Sequence, residues 1–235
     1  VTDTRPIILL TRPEAQSRDL AARLRAQIDV PILISPILEI APIPFTLPVA
    51  PRFLILTSAH AAEAACAAGL SGLPAFCVGD RTAEAAAAAG LIPRSASGDA
   101  GALLGLLKDA APEGPGLYLR GRHAASDLEP ELARARIDTH SVIAYDQLPR
   151  PLNLEARAAL HGAAPVILPV FSPRSARLLA AEAKDSTAPL DLIPISANAA
   201  SAWKGGAASI TVAAAADGPS MEHAIVTRAR ARLAC

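Results

Sequence analysis

Short apolar runs alternate with segments of helical spacing along the whole chain, and nearly every apolar run stops at a small polar or glycine turn. The clearest case starts at Phe53, FLILTSAHAAEAACAAGLSGLPAFCVGDRTAE. Phe53-Leu54-Ile55-Leu56 halts at Thr57-Ser58 and an alanine-rich helical segment begins at once, which predicts buried strand, tight turn, helix. Residues 75–78, followed by Gly79-Asp80 and another alanine-rich run, repeat the pattern. Each unit sets its turn at the carboxyl end of a strand and the amino end of a helix. Unpaired backbone N–H groups and the positive end of the helix dipole collect there, which suits an anionic ligand.

In chain order, residues 7–10 predict a strand ending at Thr11-Arg12-Pro13, with Pro13 suited to the first turn of a helix through Leu20, Leu24 and Ile28. A strand over residues 30–34 leads to the proline-rich APIPFTLPVAP, an extended linker by composition. After the two central units, a strand at residues 117–119 ends in Arg120-Gly121-Arg122. A further strand at residues 139–144 precedes Tyr145-Asp146-Gln147 and a second proline-bearing segment, LPRPL.

The remainder echoes what came before. Residues 166–171 end at Ser172-Pro173-Arg174-Ser175 as Leu56 ends at Thr57-Ser58; residues 192–195 end at Ser196-Ala197-Asn198; residues 210–212 pass through Asp217-Gly218-Pro219-Ser220 into a last helix. ILLTRPEAQSRDLAARLRAQIDVPILIS lays over LYLRGRHAASDLEPELARARIDTHSVIA, with Asp29 opposite Asp138 and Pro36 opposite Tyr145. A repeat this long is a duplicated domain rather than a solenoid period. Its order predicts residues 37–147 as one copy inserted in another made of residues 1–36 and 148–235, a hinged pair joined at the two proline-bearing crossings. Strands alternating with helices imply α/β domains with parallel sheets covered on both faces and ligand sites outside the carboxyl ends of strands. If the copies face each other, these turns line one cleft.

Composition narrows the function. The chain has 235 residues, 51% hydrophobic, enough for real cores. Net charge is zero and only Phe 4, Tyr 2 and Trp 1 are aromatic, so neither a global basic field nor a stacking platform points to nucleic acid. No apolar run approaches the ~18 to 20 residues that span a bilayer, and the amino terminus lacks a signal-peptide plan, so a cytoplasmic protein is expected. Cys66, Cys77 and Cys235 form neither a disulfide framework nor a zinc motif, and Cys66 and Cys77 are expected as small core residues.

Ser and Thr before a helix act as N-caps as well as ligand contacts, so the weight rests on recurrence. Arg12, Arg81, Arg120, Arg122 and Arg174 sit at or beside the strand-end turns, an arrangement that favours a polyanion in a neutral protein. There is no GxSxG, no GxxxxGK[ST] and no GxGxxG. His60 and His123 are expected in first helical turns, and Asp80, Asp99 and Asp217 as caps.

FLILTSAHAAEAA, AFCVGDRTAEAAAAAGL, LYLRGRHAASDLEPEL, HSVIAYDQLP, VFSPRSARLL and ISANAASA, in this order and spacing, closely resemble the uroporphyrinogen-III synthase family. The resemblance covers essentially the whole chain. It implies two flavodoxin-like domains, a monomer, no cofactor, no metal, and cyclisation of linear hydroxymethylbilane with inversion of ring D and loss of water. Transient contact with hydroxymethylbilane synthase is a further partner it implies. Tyr145 matches the tyrosine to which the family assigns the acid role. Thr57, Ser58, Gly79, Thr82, Ser172, Ser175 and Asn198 match substrate-facing turns, to which the strand-end pattern adds Arg12, Arg81, Arg120, Gly121 and Ser196. Where many members carry Gly-Pro-Thr-Thr, this chain has Ser196-Ala197-Asn198-Ala199, so backbone rather than side-chain binding is expected there. A non-catalytic two-domain anion- or tetrapyrrole-binding protein would share every feature except turnover.

Overall fold

The apolar runs form strands and the segments between them form helices, in a computed structural model that describes residues 5–123 and 127–234. In chain order the elements begin β1 (Ile7–Leu10), α1 (Glu14–Arg25), β2 (Ile32–Ile34), β3 (Leu38–Pro42), β4 (Phe53–Leu56), α2 (Ala59–Ala67), β5 (Pro74–Cys77), α3 (Asp80–Ala88) and β6 (Ile92–Ser95). They continue α4 (Ala100–Ala110), β7 (Gly116–Gly121), α5 (Glu129–Arg134), β8 (Thr139–Pro149), α6 (Leu154–Leu160) and β9 (Val166–Val170). The chain closes with α7 (Pro173–Glu182), β10 (Leu190–Pro194), α8 (Ala197–Ala202), β11 (Ser209–Ile210) and α9 (Gly218–Leu233).

Contacts divide the chain into a discontinuous unit, Val1–Glu39 with Pro149–Cys235, and a continuous one, Ile40–Leu148. The discontinuous unit holds a sheet in the order β11-β10-β9-β1-β2 with parallel pairing. Numbered along that unit's own strands the order is 2-1-3-4-5, the flavodoxin-like arrangement. The continuous unit's sheet runs β3-β8-β7-β4-β5-β6. Apart from the edge strand β3, its neighbours are those of the first sheet with β4, β5 and β6 in the places of β9, β10 and β11, and β7 and β8 in the places of β1 and β2. The same spatial module is thus entered at a different strand, which is why the sequence repeat is circularly offset.

Alternation along the strands fills both faces. Ile8 and Leu10 face α1 and α9 together with Ile167 and Ile193. Leu9, Leu168 and Leu192 face the opposite core with α6, α7 and α8. In the continuous unit Leu54, Leu56, Leu117 and Leu119 pack with α2 and α3. Phe53, Ile55, Phe76 and Tyr118 pack with α4 and α5, and the Phe53 and Phe76 rings meet edge to face at 5.7 Å. A parallel strand buried on both faces must be apolar at every position, which makes these runs continuous rather than alternating.

Two expectations need correction. β8 is 11 residues long and carries Tyr145-Asp146-Gln147 inside the strand, where the sequence predicted that the strand would stop at residue 144. The extension has partners on both sides: Arg122 N–H donates to the Tyr145 carbonyl past a bulge at Arg120/Gly121, and Ile43 N–H donates to the Ala144 carbonyl. The first proline-rich segment accordingly begins as edge strand β3, a place where proline's missing N–H is tolerated. Cys66 is exposed near the end of α2, whereas Cys77 is buried and its thiol is pushed up to about 11 by burial. Cys235 lies outside the described residues.

Candidate functional site

In an open parallel sheet the natural crevice lies where neighbouring strands send their crossovers in opposite directions. Here that point falls between β7 and β4 in the continuous unit and between β1 and β9 in the other.

At the β7/β4 point the structure brings Ser58, Gly121 and Tyr145 into contact, and sets Thr57 and Arg120 beside Tyr118. Ser58 caps α2 from an extended backbone and accepts from His60 N–H at 3.2 Å. A cap hydroxyl spends its acceptor on the helix and keeps its O–H to donate. The Thr57 hydroxyl lies 3.5 Å from the Tyr118 hydroxyl, whose ring is otherwise core.

Tyr145 is 6% exposed, and its hydroxyl is hydrogen-bonded by Ser58 and by the Gly121 backbone. Desolvation outweighs those bonds and raises the phenol above its ordinary pKa, so it holds its proton at neutral pH. Gly121 is required by the ring: a Cβ there would sit 2.6 Å from Tyr145 Cε2 and 2.8 Å from Cζ. The His60 ring meets the Tyr145 ring edge-on at 5.7 Å and 63°, and His60 Nδ1 is 3.2 Å from a Glu63 carboxylate oxygen.

The arginines are less available than the sequence suggested. Arg120 donates to Glu129 at 2.7 Å and to the Gly121 carbonyl, and Arg122 pairs with Asp146 at 2.8 Å. Burial tends to raise Asp146, but Gln147 N–H and Arg122 outweigh it and hold the carboxyl low. His123 is 3.4 Å from the same Asp146 and lies ahead of α5 rather than in its first turn.

On the adjacent turn Gly79 caps α3 with its backbone, Thr82 is buried beneath it, and Arg81 is exposed. Asp80 is not the cap but the first helical residue. Ser95 and Ser97 hydroxyls donate to it at 2.6 and 2.9 Å and depress its pKa.

At the β1/β9 point of the other unit, the Arg12 guanidinium lies 4.2 Å over the Phe171 ring and its Nε donates to Gln16. Ser172 caps α7, accepting from Ser175 N–H at 3.0 Å, with the two hydroxyls 2.7 Å apart. Ser196 caps α8 and Asn198 is exposed on it, but that helix has six residues and a correspondingly small dipole. Asp99 and Asp217 are side-chain caps of α4 and α9, as expected.

Sequence reasoning passed over the contact between His60, with its Glu63 partner, and Tyr145. The i, i+3 spacing of His60 and Glu63 was its one visible signal.

These features define a class: a duplicated α/β protein with capped strand-end turns at two switch points and a buried phenol at one of them. The family model for "Uroporphyrinogen-III synthase HemD" matches residues 18–226, so the chain belongs to the uroporphyrinogen-III synthase family. A search of the curated proteins finds no match. Among solved structures, the chain is similar to a uroporphyrinogen-III synthetase from Helicobacter pylori, with 17% identity over 95% of this chain and 99% of that one and a TM-score of 0.70. It is also similar to a mutant uroporphyrinogen III synthase from the extremely thermophilic bacterium Thermus thermophilus, with 17% identity over 98% and 99% and a TM-score of 0.56. The activity is therefore that of a lyase in tetrapyrrole biosynthesis. No helix among the described residues is long and apolar enough to cross a membrane.

Proposed function

We propose that this chain cyclises hydroxymethylbilane to uroporphyrinogen III as a hydro-lyase, with Tyr145 as the acid. The observation that carries the assignment of the acid is the buried, protonated phenol at the β7/β4 switch point, held by Ser58 and Gly121. The Tyr145 hydroxyl gives its proton to the departing ring A hydroxyl, the C–O bond breaks, and water leaves. The substituted carbon of ring D attacks the resulting azafulvenium cation to give a spiro intermediate, which fragments and re-closes with ring D inverted. The proton lost in re-closure returns to the phenolate.

The substrate is a polycarboxylate, so the capped turns of each unit offer it complementary donors: Thr57, Ser58, Gly79, Arg81 and Thr82 on the continuous unit, and Arg12, Ser172, Ser175, Ser196 and Asn198 on the discontinuous one. Gly121 completes the tyrosine's surroundings, and Arg120 reaches a carboxylate by exchanging Glu129 for it. The enzyme acts as a cytoplasmic monomer without cofactor and receives its substrate from hydroxymethylbilane synthase.

Freshly generated hydroxymethylbilane closes spontaneously to the type I isomer, so the test is the isomer formed. Type III product is expected from the wild-type protein. Tyr145→Phe should retain the fold and KM and lose ~10² to 10⁴ in kcat. Undiminished type III turnover by Tyr145→Phe would rule the hydroxyl out, and type I product alone from the wild type would leave the non-catalytic binding reading.

A further inference from the structure

The His60–Glu63 pair has no part in the chemistry above, yet it occupies one side of Tyr145. His60 stands in the first turn of α2 with its side chain 18% exposed. It is fixed at two points: its backbone N–H donates to Ser58 Oγ at 3.2 Å, and its ring Nδ1 lies 3.2 Å from Glu63 Oε2, one turn along the same helix. Its ring then abuts the Tyr145 ring edge-on, 5.7 Å between centroids. The Tyr145 hydroxyl bonds the same Ser58 that holds His60. Ser58, His60 and Tyr145 therefore form one network that ties the start of α2 to β8.

A tyrosine pivots about two bonds, so its oxygen is placed only as well as its ring is walled. Gly121 closes one side, since even a methyl group there would come within 2.6 Å of the ring. The His60 ring is a second wall, and it is a rigid one only while Glu63 keeps the imidazole from turning.

We propose that His60, braced by Glu63, is a positioning residue that holds the Tyr145 phenol in its productive orientation. The proposal rests on the reading of Tyr145 as the acid, and it makes His60 act through that residue without touching substrate. A displacement of about an ångström at a reacting group costs on the order of 10² in rate.

The test has two arms. In the first, His60→Ala should lower kcat about 10- to 100-fold with little change in KM, and His60→Phe, which keeps an aromatic edge but loses the Glu63 brace, should restore only part of it. On a Tyr145→Phe background the same His60→Ala change should have almost no further effect, because residues acting through one group are not additive. A rise in KM with kcat intact, or full additivity, overturns the proposal.

The second arm is independent of turnover. The chain has Tyr 2, so Tyr118→Phe leaves Tyr145 as its sole tyrosine, and ultraviolet absorbance titration reads that phenol alone. Removing the His60 ring in this protein should admit water and move the ionisation midpoint down toward that of free tyrosine. An unmoved midpoint overturns the proposal. If the parent protein makes no type III isomer while the midpoint still moves, the assignment of function fails and the positioning of Tyr145 by His60 stands.

Discussion

Asp191 is the one acidic residue among the fully buried positions described, and its removal should be costly although it lies outside the candidate site. It lies on β10 with no exposure, and its two carboxylate oxygens are filled. Arg232 donates to both, at 2.7 and 2.9 Å, Arg228 donates to one, and the Ser209 hydroxyl donates at 2.7 Å. Burial by itself raises a carboxyl, but here the guanidinium and hydroxyl bonds win and hold the pKa far below 3.8. The group joins β10 and β11 to α9.

Removing one partner of a buried pair typically costs about 3 to 5 kcal/mol, because the other charge is left uncompensated. The arginine side chains are 27% and 25% exposed and can turn to water, which places Asp191→Asn at the low end, about 3 kcal/mol. Urea denaturation followed by circular dichroism would read this as a lower midpoint.

The sign with pH follows from the depressed value. Asp191's contribution is complete above its unfolded pKa near 3.8 and is lost as pH falls from there through the folded value. The gap between wild type and Asp191→Asn should thus be flat through neutral pH and close only in acid. A midpoint unchanged by Asp191→Asn at neutral pH, or a gap that widens in acid, would refute the reasoning.

Gly121→Ala should leave the sheet paired but push the Tyr145 ring aside, lowering kcat on the order of 10²-fold, as read in the isomer assay. Ala111→Gly should stabilise the protein by about 1 kcal/mol in urea denaturation, since Ala111 ends α4 in the left-handed region at φ 40° where glycine costs least. Arg12→Glu should raise KM with kcat nearly intact and weaken its salt dependence, while Arg25→Glu, on the exposed face of α1, leaves both unchanged.

Much of this architecture is legible in the sequence because buried parallel strands and capped helices leave local marks. FLIL, VILPV and the residues after each run name both the strand and its cap, and Ser58, Ser172, Ser196 and Asp217 are caps in the structure. What stays hidden depends on partners distant in the chain. YDQLP looks like a loop because it is polar and ends in proline; it is strand because β7 and β3 flank it. Asp191 lies just ahead of the run read as a strand at residues 192–195; it is inside β10, where α9 brings Arg228 and Arg232 to it. Arg120 at a strand end suggests a free cation, yet Glu129 occupies it. The contact of His60 with Tyr145 likewise has no local mark.

The duplication bears on why the acid role is proposed for one tyrosine. Both units have the same strand neighbours, so both have a switch-point crevice, but their contents have diverged. In the repeat, Tyr145 stands opposite Pro36, which offers neither a phenol nor a backbone donor. The turn opposite Thr57-Ser58 is Phe171-Ser172, and there the face of an aromatic ring carries the Arg12 cation. One crevice thus presents a proton donor with its pKa raised by burial, and the other a fixed positive charge. Under the function proposed above, each crevice meets one of these two electrostatic demands. A cation beside the phenol would favour its ionised form and weaken it as an acid. The pairing of Arg120 with Glu129, next to Gly121, fits this division, because it neutralises a guanidinium at the end of β7.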